Sequence, residues 1–253
     1  MKHHLHHPHT EHAAVAAVDP RIRLLAAGLL LGLVVSSHGS AFPVQVALIC
    51  LPVALVVGMP WRLLALRLLH PCFIALVILG LKAFAGAGQP VVLADLAGHA
   101  ITVHREGLLE GVRIAARIWG AVSVALLLSQ VLTFTETMAA LAWLRVPAGL
   151  VEVALFAWRA LFMLYDDAGT VYTAQKNRLG YCGLRRGLRS FGAMAGMLTI
   201  RAFDSSQAIT VAMTQRGYDG SLPLLRGARP SRGQVAGLLV FALAVTVAWR
   251  LQE

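Results

Sequence analysis

The sequence predicts an all-α, polytopic integral membrane protein with about five transmembrane helices and long amphipathic cytoplasmic helices. Of its 253 residues, 58% are hydrophobic and only 13% are charged, whereas soluble domains carry roughly 25% charged residues. The mean hydropathy is +0.70, and several apolar stretches are long enough to cross a bilayer. In such a chain a net charge of +10 marks cytoplasmic faces, not nucleic-acid binding. No nucleic-acid motif accompanies it.

Residues 1–20 are expected to form a histidine-rich cytoplasmic tail, since six of the ten histidines fall within the first twelve residues. Imidazole binds Ni²⁺ and Co²⁺, so the tail either collects metal or is a polar tract without that role, natural or added for expression. It is not a signal peptide, because no continuous apolar core follows the basic start. The three cysteines lie far apart and predict neither a disulfide framework nor a zinc site.

A four-helix transmembrane block is predicted over 21–132, and a C-terminal transmembrane helix over 233–253. A hydrocarbon core of about 30 Å needs about 20 apolar residues in a helix, and fewer where flanking arginines snorkel. The expected spans are about Ile22–Ser37, Ala41–Met59, Leu66–Ala85, Leu108–Leu132 and Gln234–Trp249.

The orientation follows from the basic residues, because Lys and Arg in short loops resist translocation. Arg21 and Arg23 precede the first span, and Arg62 and Arg67 lie between the second and third, whereas the link "SSHGSAFP" contains no Lys or Arg. The N-terminus is therefore predicted to be cytoplasmic, in the cell inner (plasma) membrane, and the tail "RLQE" external.

Residues 133–232 are too polar for ordinary spans and too periodic for a loop. The stretch "TFTETMAALAWLRVP" predicts a short helix that is capped by Thr133 or Thr135, carries Glu136 in its first turn and ends at Pro147. A long amphipathic helix is expected from there to Asn177. The glycine-rich "LGYCGLRRGLRSFG" predicts a hinge, and a further amphipathic helix is expected from about Ala193 to Gln215.

The two long helices end in similar stretches. Arg178 opens "RLGY" and Arg216 opens "RGYD". A single cation at a helix C-terminus is explained by the helix dipole, which stabilises it by about 0.3–1 kcal/mol. Two such ends in one chain favour another use, which is docking into equivalent grooves of two related subunits. Arginine suits this use because its planar fork binds carboxylates bidentately and keeps its charge.

Over roughly residues 130–220 the chain resembles the membrane-embedded T components of energy-coupling factor (ECF) transporters, of the cobalt and nickel type (CbiQ/NikQ). That family carries two X-Arg-X motifs, commonly Ala-Arg-Gly, at the ends of two cytoplasmic coupling helices. The matching triplets here are "NRL" and "QRG", with Asn177 in place of the usual alanine and Leu179 in place of the usual glycine. By resemblance the partner-binding residues are Asn177, Arg178, Leu179, Gln215, Arg216 and Gly217.

The resemblance implies a non-catalytic scaffold and coupling subunit of an ECF-type importer for cobalt or nickel ions, embedded in the lipid bilayer. Its partners would be two ATPase subunits (or a homodimer) and a small integral-membrane subunit that binds the metal. The chain would hold no cofactor, with ATP and Mg²⁺ bound by the partner subunits. The sequence agrees, because it has no G-x-x-x-x-G-K-[ST] loop and none of its three lysines follows a glycine.

Two other functions fit single features of the sequence. Glu110, Arg113 and Arg117 at the start of the fourth span could line an ion path of a self-sufficient channel or secondary transporter, but a local Glu110–Arg113 pair with a snorkelling Arg117 explains them. Asp166 and Asp167 could form half of a magnesium-diphosphate site in a prenyltransferase-like enzyme. Such a site needs a second acidic cluster, and the sequence lacks one, so we expect these carboxylates to face water or pair with arginines.

Overall fold

A computed structural model describes residues 18–85, 90–96, 99–218 and 231–252. The histidine-rich stretch at the N-terminus lies outside the described residues. Two compact units divide the chain, one within Met1–Thr137 and Ala228–Glu253 and the other within Met138–Gly227. The elements in the described part are α1 Pro20–Ser36, α2 Ala41–Val56, α3 Trp61–Ala85, β1 Pro90–Leu96, β2 His99–His104, α4 Arg105–Val131, α5 Phe134–Trp143, α6 Ala148–Asn177, α7 Leu184–Gln215 and α8 Arg232–Arg250.

The first unit is built around α4, which packs against α1, α2 and α3, while α8 packs against α1. Small residues allow the close approach. A Cβ atom added at Gly120 of α4 would lie 2.9 Å from the carbonyl oxygen of Pro43, and one added at Gly111 would lie 3.2 Å from the Cα of Leu79. Small residues at helix interfaces are how transmembrane helices bring their backbones together.

The core of this unit is small, and its outer surface is apolar. Buried residues of α1, α2 and α4 form the core cluster, and Trp249 of α8 packs against it. Large apolar side chains point outward elsewhere, as with Phe73, which is 67% exposed, and Leu243, which is 68% exposed. Soluble monomers rarely expose so much contiguous apolar surface, so these faces are lipid-facing.

The predicted polytopic helical class is confirmed. Within the described residues four helices, namely α3, α4, α6 and α8, are long and apolar enough to cross a membrane, and α2 is a shorter apolar helix. The first two predicted spans form helices of only 17 and 16 residues, which are about 26 and 24 Å long. α6 was expected only as a cytoplasmic helix, but its apolar N-terminal half gives it the composition of a span.

One β-hairpin is an exception to the predicted all-α fold. No strand was predicted after the third span, but β1 and β2 pair antiparallel there, with Pro90 opposite His104 and Leu96 opposite His99. The β-branched residues in "PVVLADL" and "HAITVH" explain the strands. These runs are too short for their periodicity to stand out beside the long helices.

An interhelical ion pair replaces the one expected within α4. The Nζ of Lys82 in α3 donates to the Oε1 of Glu110 at 2.9 Å, so the predicted pairing of Glu110 with Arg113 is wrong. The cause is the close approach of α3 and α4 at Gly111, which has no side chain. A Cβ atom added at Gly111 would lie only 3.4 Å from the Cβ of Lys82. Arg117 is partly buried in the helix.

The predicted capping of α5 is confirmed, and an arginine from α1 extends it. The backbone N–H of Thr133 donates to Glu136 Oε2 at 2.9 Å, and the N–H of Glu136 donates to Thr133 Oγ1 at 3.3 Å, which is a capping box. Arg23 donates to Glu136 Oε1 at 3.2 Å and to the carbonyl oxygen of Val131. Burial acts to raise the pKa of Glu136, but the hydrogen bonds from Thr133 and the charge of Arg23 outweigh it and lower that pKa.

In the second unit α6 and α7 run antiparallel. Near their connection Gln175 Nε2 donates to the carbonyl oxygen of Ser190 at 3.1 Å. Midway along, Arg201 Nε lies 2.8 Å from Asp167 Oδ2, which confirms the expected pairing of this carboxylate with an arginine. At the far end the Tyr218 hydroxyl donates to Glu152 Oε2 at 3.0 Å.

The predicted start of α7 at Ala193 is wrong, because the helix begins nine residues earlier at Leu184. The hinge is therefore confined to residues 178–183, and the "LRRG" of the expected hinge is helical. A glycine within a helix lowers the stability of the helix by only about 1 kcal/mol relative to alanine. The helix-forming leucines and arginines around it offset this loss. A Cβ added at Gly187 would lie 3.8 Å from the Tyr181 ring, which is an ordinary contact.

Candidate functional site

The end of α6 is a Schellman motif built around Arg178. The N–H of Gly180 donates to the carbonyl oxygen of Gln175 at 2.8 Å, and the N–H of Leu179 donates to that of Lys176 at 3.0 Å. This pair of bonds satisfies carbonyl groups that a helix end otherwise leaves without partners. We call Asn177, Arg178 and Leu179 tip 1.

The end of α7 repeats the same motif around Arg216. The N–H of Tyr218 donates to the carbonyl oxygen of Met213 at 3.0 Å, and the N–H of Gly217 donates to that of Thr214 at 3.1 Å. We call Gln215, Arg216 and Gly217 tip 2. Each helix thus ends with the same two hydrogen bonds, made by residues at the same sequence positions relative to its arginine.

The two arginines share one backbone conformation. Arg178 has φ −92° and ψ 17°, and Arg216 has φ −92° and ψ 9°. The next residue is left-handed in both tips, with φ 57° at Leu179 and 79° at Gly217. This requirement explains why glycine suits the third position of the motif. Leucine adopts the same conformation in tip 1 at a cost of about 1–2 kcal/mol.

All six residues of tips 1 and 2, which were predicted to bind partners, are exposed. Among the described residues, neither guanidinium has a side-chain hydrogen bond or ion-pair partner. Each arginine therefore presents five N–H donors from a fixed backbone position, at a helix end whose dipole favours a cation. This arrangement is chemically suited to a carboxylate or a cluster of carbonyl groups on a partner.

Tip 1 is held by side chains around the connection between the helices. The Tyr181 hydroxyl donates to Gln175 Oε1 at 2.7 Å, and Ser190 Oγ donates to the carbonyl oxygen of Gly180 at 2.9 Å. The Tyr181 ring also packs 5.0 Å from that of Tyr172. Gly180 has no room for a side chain, because a Cβ there would lie 2.7 Å from Ser190 Oγ.

Tip 2 is held by a contact from another helix. The Tyr218 hydroxyl donates to Glu152 of α6, and Glu152 is only 5% exposed. The sequence places a tyrosine shortly after each arginine, but Gln175, Ser190 and Glu152 were not predicted as the residues that support them. The repeated tyrosine was the signal that could have led to them.

The structure does not bring the two tips together. They lie at opposite ends of the α6–α7 pair, because the helices are antiparallel and each tip follows the C-terminus of its own helix. Tip 1 is held at Ser190, near the start of α7, and tip 2 follows its end. At 1.5 Å per residue, the intervening part of α7 separates the tips by roughly 40 Å.

An apolar cavity of about 430 Å³ lies between α6 and α7 on the side of tip 2. Its walls include Phe156, Met163, Ile209, Met213 and Tyr218. A metal site is not indicated in the part of the chain that the structure describes, since no group of three or more His, Cys, Asp or Glu side chains converges there.

Known proteins match most of the chain. The family model described as "CbiQ: Cobalt transport protein" matches residues 13–225. The chain is 33% identical over 124 residues to cobalt transport protein CbiQ of Salmonella typhimurium, covering 49% of this chain and 55% of that protein. It is 27% identical over 218 residues to energy-coupling factor transporter transmembrane protein EcfT of Staphylococcus aureus, covering 81% and 80%.

A third relative is a putative fused cobalt transport protein CbiMQ of Methanocorpusculum labreanum, 30% identical over 159 residues, which are 56% of this chain and 26% of that protein. The chain spans about half the length of several curated relatives that it matches. The matched descriptions are of transport components and not of enzymes. The chain therefore belongs to the CbiQ family of cobalt transport proteins, the transmembrane T components of energy-coupling factor transporters.

Proposed function

We propose that this chain is the coupling subunit of an ECF-type importer for cobalt or nickel ions, and that tips 1 and 2 dock its ATPase subunits. The observation that supports this proposal best is the equivalence of the tips. Arg178 and Arg216 have the same backbone conformation, the same capping bonds and the same exposure. Two equivalent helix ends fit two equivalent binding grooves, which we call sockets. A pair of related ATPase subunits, or a homodimer, would provide them.

The partners divide the remaining tasks. ATP and Mg²⁺ are bound by the ATPase subunits, and the ion is bound by a small integral-membrane subunit. The name of the Methanocorpusculum labreanum relative describes a cobalt transport protein fused from two parts, which supports a membrane partner beside this chain. The basic residues of "RIR" and of the link around Arg62 and Arg67 support an N-terminus in the cytoplasm, with the chain in the inner (plasma) membrane.

The geometry suggests how force reaches the membrane. Each arginine sits on the end of a rigid helix, and the roughly 40 Å between the tips is fixed by α7 and by the contacts that join it to α6. When ATP binding closes the ATPase pair, its two sockets turn relative to the membrane, while the length of α7 keeps the two tips the same distance apart. The tips follow their sockets, so the angle between α6 and α7 changes, and this tilts the substrate-binding subunit.

Co-purification of the ATPase subunits tests the proposal. Arg178→Ala with Arg216→Ala is expected to abolish ATPase retention while the chain remains in the membrane at wild-type level, and the corresponding Glu pair is expected to do the same. Arg185→Ala with Arg186→Ala is the matched control, because it removes two exposed arginines that lie near tip 1 in α7 but belong to neither tip. Full ATPase retention by the tip variant, or an equal loss in the control, would refute the proposal.

Reconstitution separates this function from independent transport. The chain alone in liposomes is expected to move neither Co²⁺ nor Ni²⁺, and uptake is expected only with the ATPase and substrate-binding subunits present. Ion uptake by the tip variant alone would instead identify a self-sufficient channel or secondary transporter. Comparing Co²⁺ with Ni²⁺ uptake by the full complex would identify the substrate.

A further inference from the structure

We infer that Tyr218 and Glu152 are positioning residues for Arg216, holding tip 2 against α6 so that its guanidinium meets the partner in one orientation. The inference rests on the proposed docking function and extends it to residues that do not touch the partner themselves. It predicts that the two tips differ in what holds them, although their backbone geometry is the same.

Tyr218 has two roles at this point of the chain. Its backbone N–H completes the Schellman motif by donating to the carbonyl oxygen of Met213 at 3.0 Å, and its hydroxyl donates to Glu152 Oε2 at 3.0 Å. The residue that closes the cap of α7 is therefore also bonded to α6. Between Arg216 and Tyr218 stands Gly217, at φ 79°, which has no side chain to restrict the tip.

Glu152 is a carboxylate that is buried in an apolar part of α6. It lies near the start of α6, among apolar residues of the sequence, and is only 5% exposed. A buried carboxylate is unfavourable unless it accepts hydrogen bonds, and the Tyr218 hydroxyl supplies one. Because hydrogen bonds to charged acceptors are stronger than those between neutral groups, this bond is a firm connection between residues that lie far apart in sequence.

Tip 1 has a different kind of support. Its bonds join Tyr181 to Gln175, Ser190 to Gly180 and Gln175 to Ser190, so they cluster around the connection between α6 and α7 and use neutral groups. Removing one of them leaves the others in place. Tip 2 is bonded to α6 through a carboxylate acceptor, Glu152, and its orientation is therefore expected to respond to loss of the Tyr218 hydroxyl.

A double-mutant cycle tests the inference. The full chain is placed in nanodiscs, and the affinity of the ATPase subunits that co-purify with the wild type is measured with ATP present. Tyr218→Phe is expected to weaken the affinity about fivefold, which corresponds to about 1 kcal/mol. The fivefold loss should persist in the Arg178→Ala background and disappear in the Arg216→Ala background, since coupled residues are not additive.

Variants of Glu152, the hydrogen-bond acceptor, provide a second and independent test. Glu152→Gln retains an oxygen that accepts from Tyr218 but loses the charge, so it should lose less affinity for the ATPase than Glu152→Ala, which should reproduce the Tyr218→Phe loss and its dependence on Arg216. If Tyr218→Phe does not fold, these variants carry the test. Tyr165→Phe, which removes the hydroxyl of an exposed tyrosine of α6, is the control and should change nothing.

The outcomes separate the two proposals. If Arg216→Ala does not weaken ATPase binding, the docking function fails. If Arg216→Ala weakens ATPase binding, but adding Tyr218→Phe to Arg216→Ala still lowers the affinity fivefold, the docking function stands and the positioning role is wrong. A Tyr218→Phe or Glu152→Ala variant that melts earlier but binds with wild-type affinity would likewise overturn it, because that pattern belongs to a purely structural contact.

Discussion

Replacing Gly120 with alanine tests whether the first unit is as closely packed as its helix contacts indicate. The added Cβ would lie 2.9 Å from the carbonyl oxygen of Pro43 and 3.1 Å from Val34 Cγ1. The carbonyl belongs to the backbone of α2 and cannot rotate aside, so α2 and α4 must separate. Overpacking of this kind costs about 1–3 kcal/mol, against a gain in helix propensity of up to about 1 kcal/mol. At the middle of the overpacking range the net loss is about 1 kcal/mol.

Thermal unfolding of the detergent-solubilised chain, followed by tryptophan fluorescence, measures the effect. For a chain of this size 1 kcal/mol corresponds to about 2–4 °C, so Gly120→Ala should melt at least about 2 °C below the wild type. Gly28→Ala is the matched control, because Gly28 lies in α1 with nothing within 4 Å of an added Cβ, and it should melt at or above the wild-type temperature. Equal or higher stability of Gly120→Ala would refute the packing argument.

Three further outcomes are expected. Leu179→Gly relieves left-handed strain and should retain the ATPase in co-purification, whereas the β-branched Leu179→Val should lose part of it; the reverse order would contradict the role of this residue in the cap. Gly180→Ala would place a Cβ 2.9 Å from the carbonyl oxygen of Gln175 and should lower ATPase retention, while Gly149→Ala, with no atom within 4 Å, should not. Because the pKa of Glu136 is lowered, the stability it contributes is present at neutral pH and is lost as the pH falls below about 4.3 and through that lowered pKa. The melting temperature should therefore fall on acidification, and less so in Glu136→Gln.

Helix ends were predictable from the sequence where their signals are local. α6 ends at Asn177 and α7 at Gln215, as expected from the arginine and glycine that follow. The threonine cap of α5 was equally visible, because the capping box needs only four residues. In each case the residues that stop or start the helix lie within one turn of its end.

Features that depend on distant residues were not predictable. The Lys82–Glu110 pair exists because Gly111 lets two helices approach, and no local pattern indicates which helix will be the neighbour. The bond from Tyr218 to Glu152 joins residues 66 positions apart. The start of α7 was missed for a different reason, since glycines in "GLRRG" were given more weight than the helix-forming leucines and arginines between them.

The separation of the tips restricts what their partner can be. Roughly 40 Å exceeds the diameter of a small domain, which is about 30 Å, so one small domain cannot bind Arg178 and Arg216 at once. Two sockets with the same chemistry at that spacing require two subunits or two related domains. If those subunits move, the stress falls on the contacts that join α6 to α7, namely the neutral bonds near tip 1, the Asp167–Arg201 ion pair and the Tyr218–Glu152 bond. Each of these contacts joins α6 to α7 or to the residues that follow it, but only the Asp167–Arg201 pair joins opposite charges. High salt should therefore weaken that contact first.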